Sequence, residues 1–378
     1  MQILSKLLKQ DYNSREGVIV TVAALGIIIN LIMAVIKIGI GITTASIAIM
    51  SEGVNHATDS ATSLLTIIGT KFAGKHPTKD HPFGFGRIEY LTSLVIAILI
   101  IITGIELLKS SVDLIFNPEP MEITYTTIGI IAISALIKIL LGQFVIKEGK
   151  RVGSGSLVAV GLEDRADSIV SVVTILASLA FLIGNISLDA YAGVFTSLFI
   201  LKAGAEVIYE TITELLGRAG DKELAAKLYK IIRQEPLVLN AADMMLHNYG
   251  PDAYSGSVNI EVDHKHSLNE VYTAIHKLQL KIMHEMNITM VFGIYAVDQD
   301  HELLKEMRLY IVDFIRKHEH VISYHALYID PDNEDIYCDV VVDYDLKDWE
   351  ALREEFTAYM SAKYPTRTLH LVIETEYV

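Results

Sequence analysis

Between residues 18 and 216 the apolar residues run in six stretches, each long enough to cross a hydrocarbon core as a helix. A spanning helix needs about 20 mainly apolar residues. The stretches are 18–41, 42–72, 88–116, 123–146, 157–183 and 188–216. A polar loop rich in Gly, Pro and His at 73–87, a stop at Asn117-Pro118-Glu119-Pro120 and a short basic, Gly-rich turn near 147–156 separate them. The chain is 51% hydrophobic yet 20% charged, and the acidic excess behind its net charge of −15 lies mostly after residue 217. A membrane bundle followed by an acidic soluble part is the reading that fits both facts.

Loop charges set the orientation. The N-terminal segment (Lys6, Lys9, Arg15), the 73–87 loop, the 147–151 turn and the segment after 217 all hold Lys or Arg. The alternate loops at 41–45, 117–122 and 184–187 hold none. The positive-inside rule then places both termini in the cytoplasm of a multi-pass protein. Residues 1–17 read as a cytosolic segment before an uncleaved first helix, because the apolar run is too long for a signal peptide. A pI near 5.3 leaves no basic face for nucleic acid. One cysteine, Cys338, rules out an intrachain disulfide and four-cysteine zinc sites.

After Gly217 the period changes. Residues 221–234 pattern as an amphipathic helix, 242–249 and 255–263 as strands, 268–286 as a helix and 289–297 as a strand. The same αββαβ order returns at 301–317, 321–330, 335–343, 349–363 and 368–376. The fold class expected is a six-helix membrane bundle (18–216) followed by two tandem ferredoxin-like α+β modules, 217–298 and 299–378. In the first copy His247, Glu261, Asp263, His264 and His276 could form a cytosolic metal site. Val341 near Glu261 and Phe356 near His276 leave the second copy without one. Helical and turn histidines are more often plain surface residues, and the ligand spacing here is not diagnostic.

Two polar stretches interrupt the apolar runs: Asn55-His56-Ala57-Thr58-Asp59 in the second and Glu163-Asp164-Arg165-Ala166-Asp167 in the fifth. At 3.6 residues per turn, Asn55 and Asp59 share one helix face, as do Glu163 and Asp167. Ionisable groups at such depth are costly and mark ion or proton pathways. Four oxygen ligands could replace part of a divalent ion's water shell, with Asp164 and His56 as accessory groups. Arg165 competes as a counter-charge. Carboxylate and carbonyl oxygens suit Mn²⁺ or Fe²⁺ better than Zn²⁺, which prefers His and Cys. Lys37, Glu106, Lys109, Lys138, Lys202 and Glu206 also fall in the spans, where snorkelling or pairing inside the bundle accounts for them. The GxxxxGK-like stretch from Gly69 to Lys75 ends a membrane helix and is followed by His76 where Ser or Thr would hold Mg²⁺, so no nucleotide site is expected.

Six spans, paired polar residues in the second and fifth, and a ferredoxin-like C-terminal part resemble the cation diffusion facilitator family. His81-Pro82-Phe83-Gly84-Phe85-Gly86-Arg87-Ile88-Glu89 is similar to that family's signature at the start of the third span. Its loop residues are matched here by His81, Gly84, Gly86, Arg87 and Glu89, with Phe85 where some members carry a metal-binding His. Some members pair the basic residue of this signature with an Asp ending the sixth span, where this chain has Gly217. The resemblance implies a homodimer that exports divalent cations from the cytoplasm across the cell membrane by alternating access, in exchange for protons. It also implies a cargo site at Asn55, Asp59, Glu163 and Asp167. Manganese-type members share the Asn-x-x-x-Asp of the second span and carry Asp where Glu163 stands. No organic cofactor and no enzymatic step is expected. A membrane-anchored metal sensor or scaffold that binds without transport is the alternative function class.

Overall fold

A computed structural model describes residues 2–8, 10–43, 47–117, 125–184, 189–217, 222–251 and 253–376. The expected stop at Pro118–Pro120 and the loops at 44–46 and 185–188 lie outside the described residues. The chain divides into two units: Met1–Arg218 with Tyr249–Asp252, and Ala219–Asn248 with Ala253–Val378.

The first unit is helical. After the short α1 (Gln2–Leu7) come α2 (Arg15–Thr43), α3 (Ile47–Ala73), α4 (Ile88–Phe116), α5 (Tyr125–Arg151), α6 (Gly155–Gly184) and α7 (Asp189–Leu216). The last six have 27–30 residues, about 40–45 Å at 1.5 Å per residue, which exceeds a hydrocarbon core. Among the described residues, four helical segments are long and apolar enough to cross a membrane: Arg15–Ile40, Ile88–Phe116, Ile128–Arg151 and Ala190–Leu216. The two helices outside that set, α3 and α6, are the ones carrying the polar stretches. Val22, Ile96, Ile100, Leu141, Leu157 and Ile200 belong to the buried core. Apolar side chains also cover the outside, as Val35, Ile102, Leu136 and Phe195 show. Water does not favour such a surface, and lipid does.

Without a hydrophobic drive between helices in lipid, close packing needs small residues at the crossings. α5 and α6 meet at Gly142 and Gly161. A Cβ on Gly142 would lie 3.0 Å from the Gly161 carbonyl oxygen, and one on Gly161 would lie 2.8 Å from the Ile146 nitrogen. Both obstacles are backbone and cannot move aside, so this contact fixes how α5 registers against α6.

The second unit repeats one topology. α8 (Lys222–Ile232), β1 (Asn240–Asn248), β2 (Tyr254–Asp263), α9 (Leu268–Met286) and β3 (Ile288–Val297) form the first copy. The second copy is α10 (Glu302–Lys317), β4 (Val321–Ile329), β5 (Ile336–Val342), α11 (Trp349–Lys363) and β6 (Leu369–Thr375). Each sheet has three strands, β1-β2-β3 and β4-β5-β6, with its first pair antiparallel and its second parallel. Each copy has its own core, built around Leu228, Ile260 and Ile282 in one and Ile311, Phe314 and Phe356 in the other. Cys338 is a fully buried member of the second. α9 begins in a capping box of Ser267 and Glu270, and Asp348 caps α11. Aligning those caps sets Phe356 opposite the buried Ile275, one residue from the His276 that the strand spacing suggested.

Candidate functional site

The α5–α6 crossing decides what the acids of α6 face. Lys138 lies one turn before Gly142 on α5, and residues 164–167 lie about one turn after Gly161 on α6. The Lys138 ammonium donates to Asp164 Oδ1 at 2.7 Å, to Asp59 Oδ2 at 2.8 Å and to Asp167 Oδ2 at 3.0 Å. Lys138 and Asp164 are each 2% exposed. Burying an ammonium is tolerable only with such pairing, because an isolated charge loses its hydration without compensation. Glu163 belongs to the same group: the charges of Asp59 and Asp167 act on it, and the Thr62 hydroxyl is within its reach. Asp59, Glu163, Asp164 and Asp167 together outweigh one ammonium. The remaining negative charge is what a divalent cation or protons would neutralise.

Two expected members sit differently. His56 is buried, with Nε2 2.9 Å from Lys37 Nζ. An ammonium can only donate, so Nε2 accepts and the ring proton falls on Nδ1. Nδ1 faces Asp59 Oδ2 at 3.6 Å, too far for a hydrogen bond, and has no hydrogen-bond partner among the described residues. Asn55 lies one turn before Asp59, is exposed, and makes no described bond to the cluster. Arg165 is exposed. Lys37 and Lys138 thus pair inside the bundle, while Lys202 meets Glu206 at an exposed face at 3.7 Å.

The loop signature is a structural clasp. Glu89, 1% exposed, accepts from Arg15 Nη2 at 2.8 Å. The same guanidinium donates to the carbonyls of Val152 at 2.7 Å and Gly153 at 3.0 Å. It therefore ties the starts of α2 and α4 to the α5–α6 turn. The His81 and Phe85 rings lie 4.6 Å apart, tilted by 35°. Gly84 turns the loop at φ 83°, and Gly86 lies so close to the Tyr249 carbonyl that a Cβ would be 2.7 Å away. Arg87 lies 4.9 Å from the Tyr249 ring centroid.

The first-copy histidines do not assemble into one group. His264 Nδ1 lies 3.4 Å from Asp263 and 3.7 Å from Asp298. His247 pairs with Ser255 and Glu261 with Asn240, at opposite ends of β2 and about 20 Å apart by strand rise. His276 stacks on Tyr272 on the outer face of α9.

Sequence reasoning passed over Lys138 as a site residue. Its three acids lie 79, 26 and 29 residues away, so no local spacing marks it. The signal available was chemical: a lysine near the middle of an apolar run, too far from either end to snorkel.

Comparison with known proteins bears on this geometry. A family model described as the cation efflux transmembrane domain matches residues 23–216. An uncharacterized transporter of Methanocaldococcus jannaschii is 31% identical over 252 residues, covering 66% of this chain and 87% of the relative. The manganese efflux system protein MneP of Bacillus subtilis is 27% identical over 59% of this chain and 77% of its own length. Mitochondrial metal transporter 1 of Saccharomyces cerevisiae is 25% identical over 82% of this chain and 69% of its own.

Proposed function

Because the chain belongs to the cation efflux family and transports divalent metal cations, we propose that Asn55, Asp59, Glu163 and Asp167 carry the cargo and that Lys138 takes its place between loads. The observation that supports this most is the Lys138 ammonium held by three carboxylates from α3 and α6. A fixed cation at that point does what a bound metal would do: it offsets acids that cannot be left bare in a low-dielectric bundle.

The sequence of events follows from charge. A metal ion reaching the acids from the cytoplasm displaces the ammonium from Asp59 and Asp167. Asp164, buried and 2.7 Å from Nζ, keeps Lys138 as its partner. The freed oxygens, with Glu163 and the Asn55 carbonyl, replace part of the ion's water. On the far side, protons compete with the metal for the same oxygens and help release it. Lys138 then returns to its acids, the protons stay on the carboxyls it does not hold, Glu163 among them, and the unloaded bundle reorients without exposing naked carboxylates and gives those protons up to the cytoplasm. In this reading all six long helices span the membrane, both termini are cytoplasmic, and the protein is a homodimer of the cell membrane.

Mn²⁺ or Fe²⁺ is the proposed cargo. Every donor assigned is an oxygen, His56 Nε2 is held by Lys37, and two Bacillus relatives are named for manganese efflux. The test is Mn²⁺ uptake by inside-out vesicles, whose lumen corresponds to the cell exterior. Proton antiport predicts that an acid lumen speeds uptake and that uptake makes the lumen more alkaline. Uptake indifferent to the gradient would remove the proton from the mechanism.

A further inference from the structure

A second cluster of metal-competent side chains lies in the other unit, where the two αββαβ copies meet. β1 has a bulge after Ala242 and β4 has one after His325, and the residues at those bulges, Asp243 and Ala326, both adopt φ 53°. Bulges re-aim side chains off the regular sheet face. Here they bring Asp243 of β1 against His325 of β4. His325 Nε2 lies 3.0 Å from Asp243 Oδ1 and 2.9 Å from Glu374 Oε1 of β6. His325 is 2% exposed. Neither contact has hydrogen-bond geometry, and Nε2 and Glu374 Oε1 are both buried without a hydrogen-bond partner among the described residues.

The rest of the pocket is arranged around those free atoms. The other oxygen of Asp243, Oδ2, accepts from Asn259 Nδ2 at 2.7 Å and from the Tyr295 hydroxyl at 3.0 Å. That holds the carboxylate with Oδ1 facing His325, as groups behind a metal ligand do. Asp339 stands behind at 3.7 Å from Nε2. Three carboxylates, those of Asp243, Asp339 and Glu374, crowd one imidazole. The group is short of positive charge. A cleft of about 390 Å³ reaches Asp243 and His325.

We propose that Asp243, His325 and Glu374 form a divalent-cation site that clamps the two copies of the αββαβ module together. Ligands about 2.1 Å from a metal and at right angles to one another sit about 3.0 Å apart, which is the spacing found around Nε2. One nitrogen and two carboxylate oxygens suit first-row ions such as Mn²⁺, Fe²⁺, Co²⁺ or Zn²⁺. The site depends on the duplication. Asn259 pairs with Ala242 and Gly293 as Asp339 pairs with His325 and Val372, so Tyr295 and Glu374 are equivalent positions. The first copy has Ala242 and the orienting Tyr295 where the second has the ligands His325 and Glu374, so the set is completed only by adding Asp243 of the first copy to two residues of the second.

The full-length chain in detergent, titrated with Co²⁺, provides the test. Asp59→Asn with Asp167→Asn gives a background in which the cargo acids are disabled. That background should still bind one equivalent and show the visible absorption of an imidazole-ligated Co²⁺ ion. Adding Glu374→Gln or Asp243→Asn, both of similar shape to the native residue, should abolish that equivalent and its absorption. Asn259→Ala should weaken it by about tenfold or more, because it frees Asp243 to turn. A background that binds no Co²⁺, or one whose binding survives both ligand variants, would overturn the proposal. Either result leaves the transport reading untouched, since that reading rests on the other unit.

Discussion

Lys138 and Asp164 share one contact but have different tasks. Asp164 is the most deeply enclosed of the acids, and its 2.7 Å bond to Nζ keeps the ammonium in the bundle whichever other acids it holds. In the proposed cycle Asp59 and Asp167 are the acids it releases. Lys138→Met removes the substitute cation but no proposed metal ligand. Unpairing buried acids costs roughly 3–5 kcal/mol. That penalty falls on the unloaded state, so net Mn²⁺ uptake should drop by at least about tenfold while Mn²⁺–Mn²⁺ exchange, which never passes through the empty carrier, continues. Radiotracer exchange measured beside net uptake separates the two; equal loss of both would show that Lys138 is needed for loading itself. Asp59 and Asp167 were legible as special because an acid with a polar residue four positions before it, Asn55 in one case and Glu163 in the other, has no ordinary explanation inside an apolar run. Lys138 was not, because its partners come from α3 and α6 and only the fold brings them together.

Elements were easier to read than their contacts. Apolar length marked the helices of the first unit, and alternation between turn residues marked each strand of the second to within a few residues. The doubled αββαβ order was visible for the same reason. Crossings were not visible, since Gly142 and Gly161 look like any other glycines until α5 and α6 are laid together. The same holds for the Arg15–Glu89 clasp, which joins residues 74 positions apart. Gly142→Leu tests the crossing. Its side chain would meet the Gly161 carbonyl and the Asp164 and Arg165 side chains at about the Cβ, and overpacking of this kind costs roughly 1–3 kcal/mol. The expected result is earlier thermal unfolding in detergent and reduced uptake, as Lys138 shifts off its acids. Gly129→Leu on the same helix, where a Cβ meets nothing within 4 Å, is the control and should leave both unchanged. Equal effects from the two would mean that helix propensity, not the crossing, matters.

At the scale of the whole molecule, two chemistries occupy two units. The helical unit gathers carboxylates of α3 and α6 around one ammonium, and in the proposed cycle that ammonium gives way to cargo, which suits binding that must be reversible. The sheet unit gathers one imidazole and two carboxylates with orienting groups behind them, which suits an ion that stays. His325 and Glu374 had no sequence signature because three strands of two different copies supply that cluster. The candidate first-copy site at His247, Glu261 and His276 had the right residue types, but strand register and helix face keep them apart. The proposed transport site is built from the acids of α3 and α6, and Mn²⁺ uptake by inside-out vesicles tests that proposal directly. With Asp59→Asn or Asp167→Asn, uptake should fall to the level of vesicles lacking the protein, although the chain still inserts and folds. Uptake at the unmodified rate in both variants would contradict the assignment of the transport site.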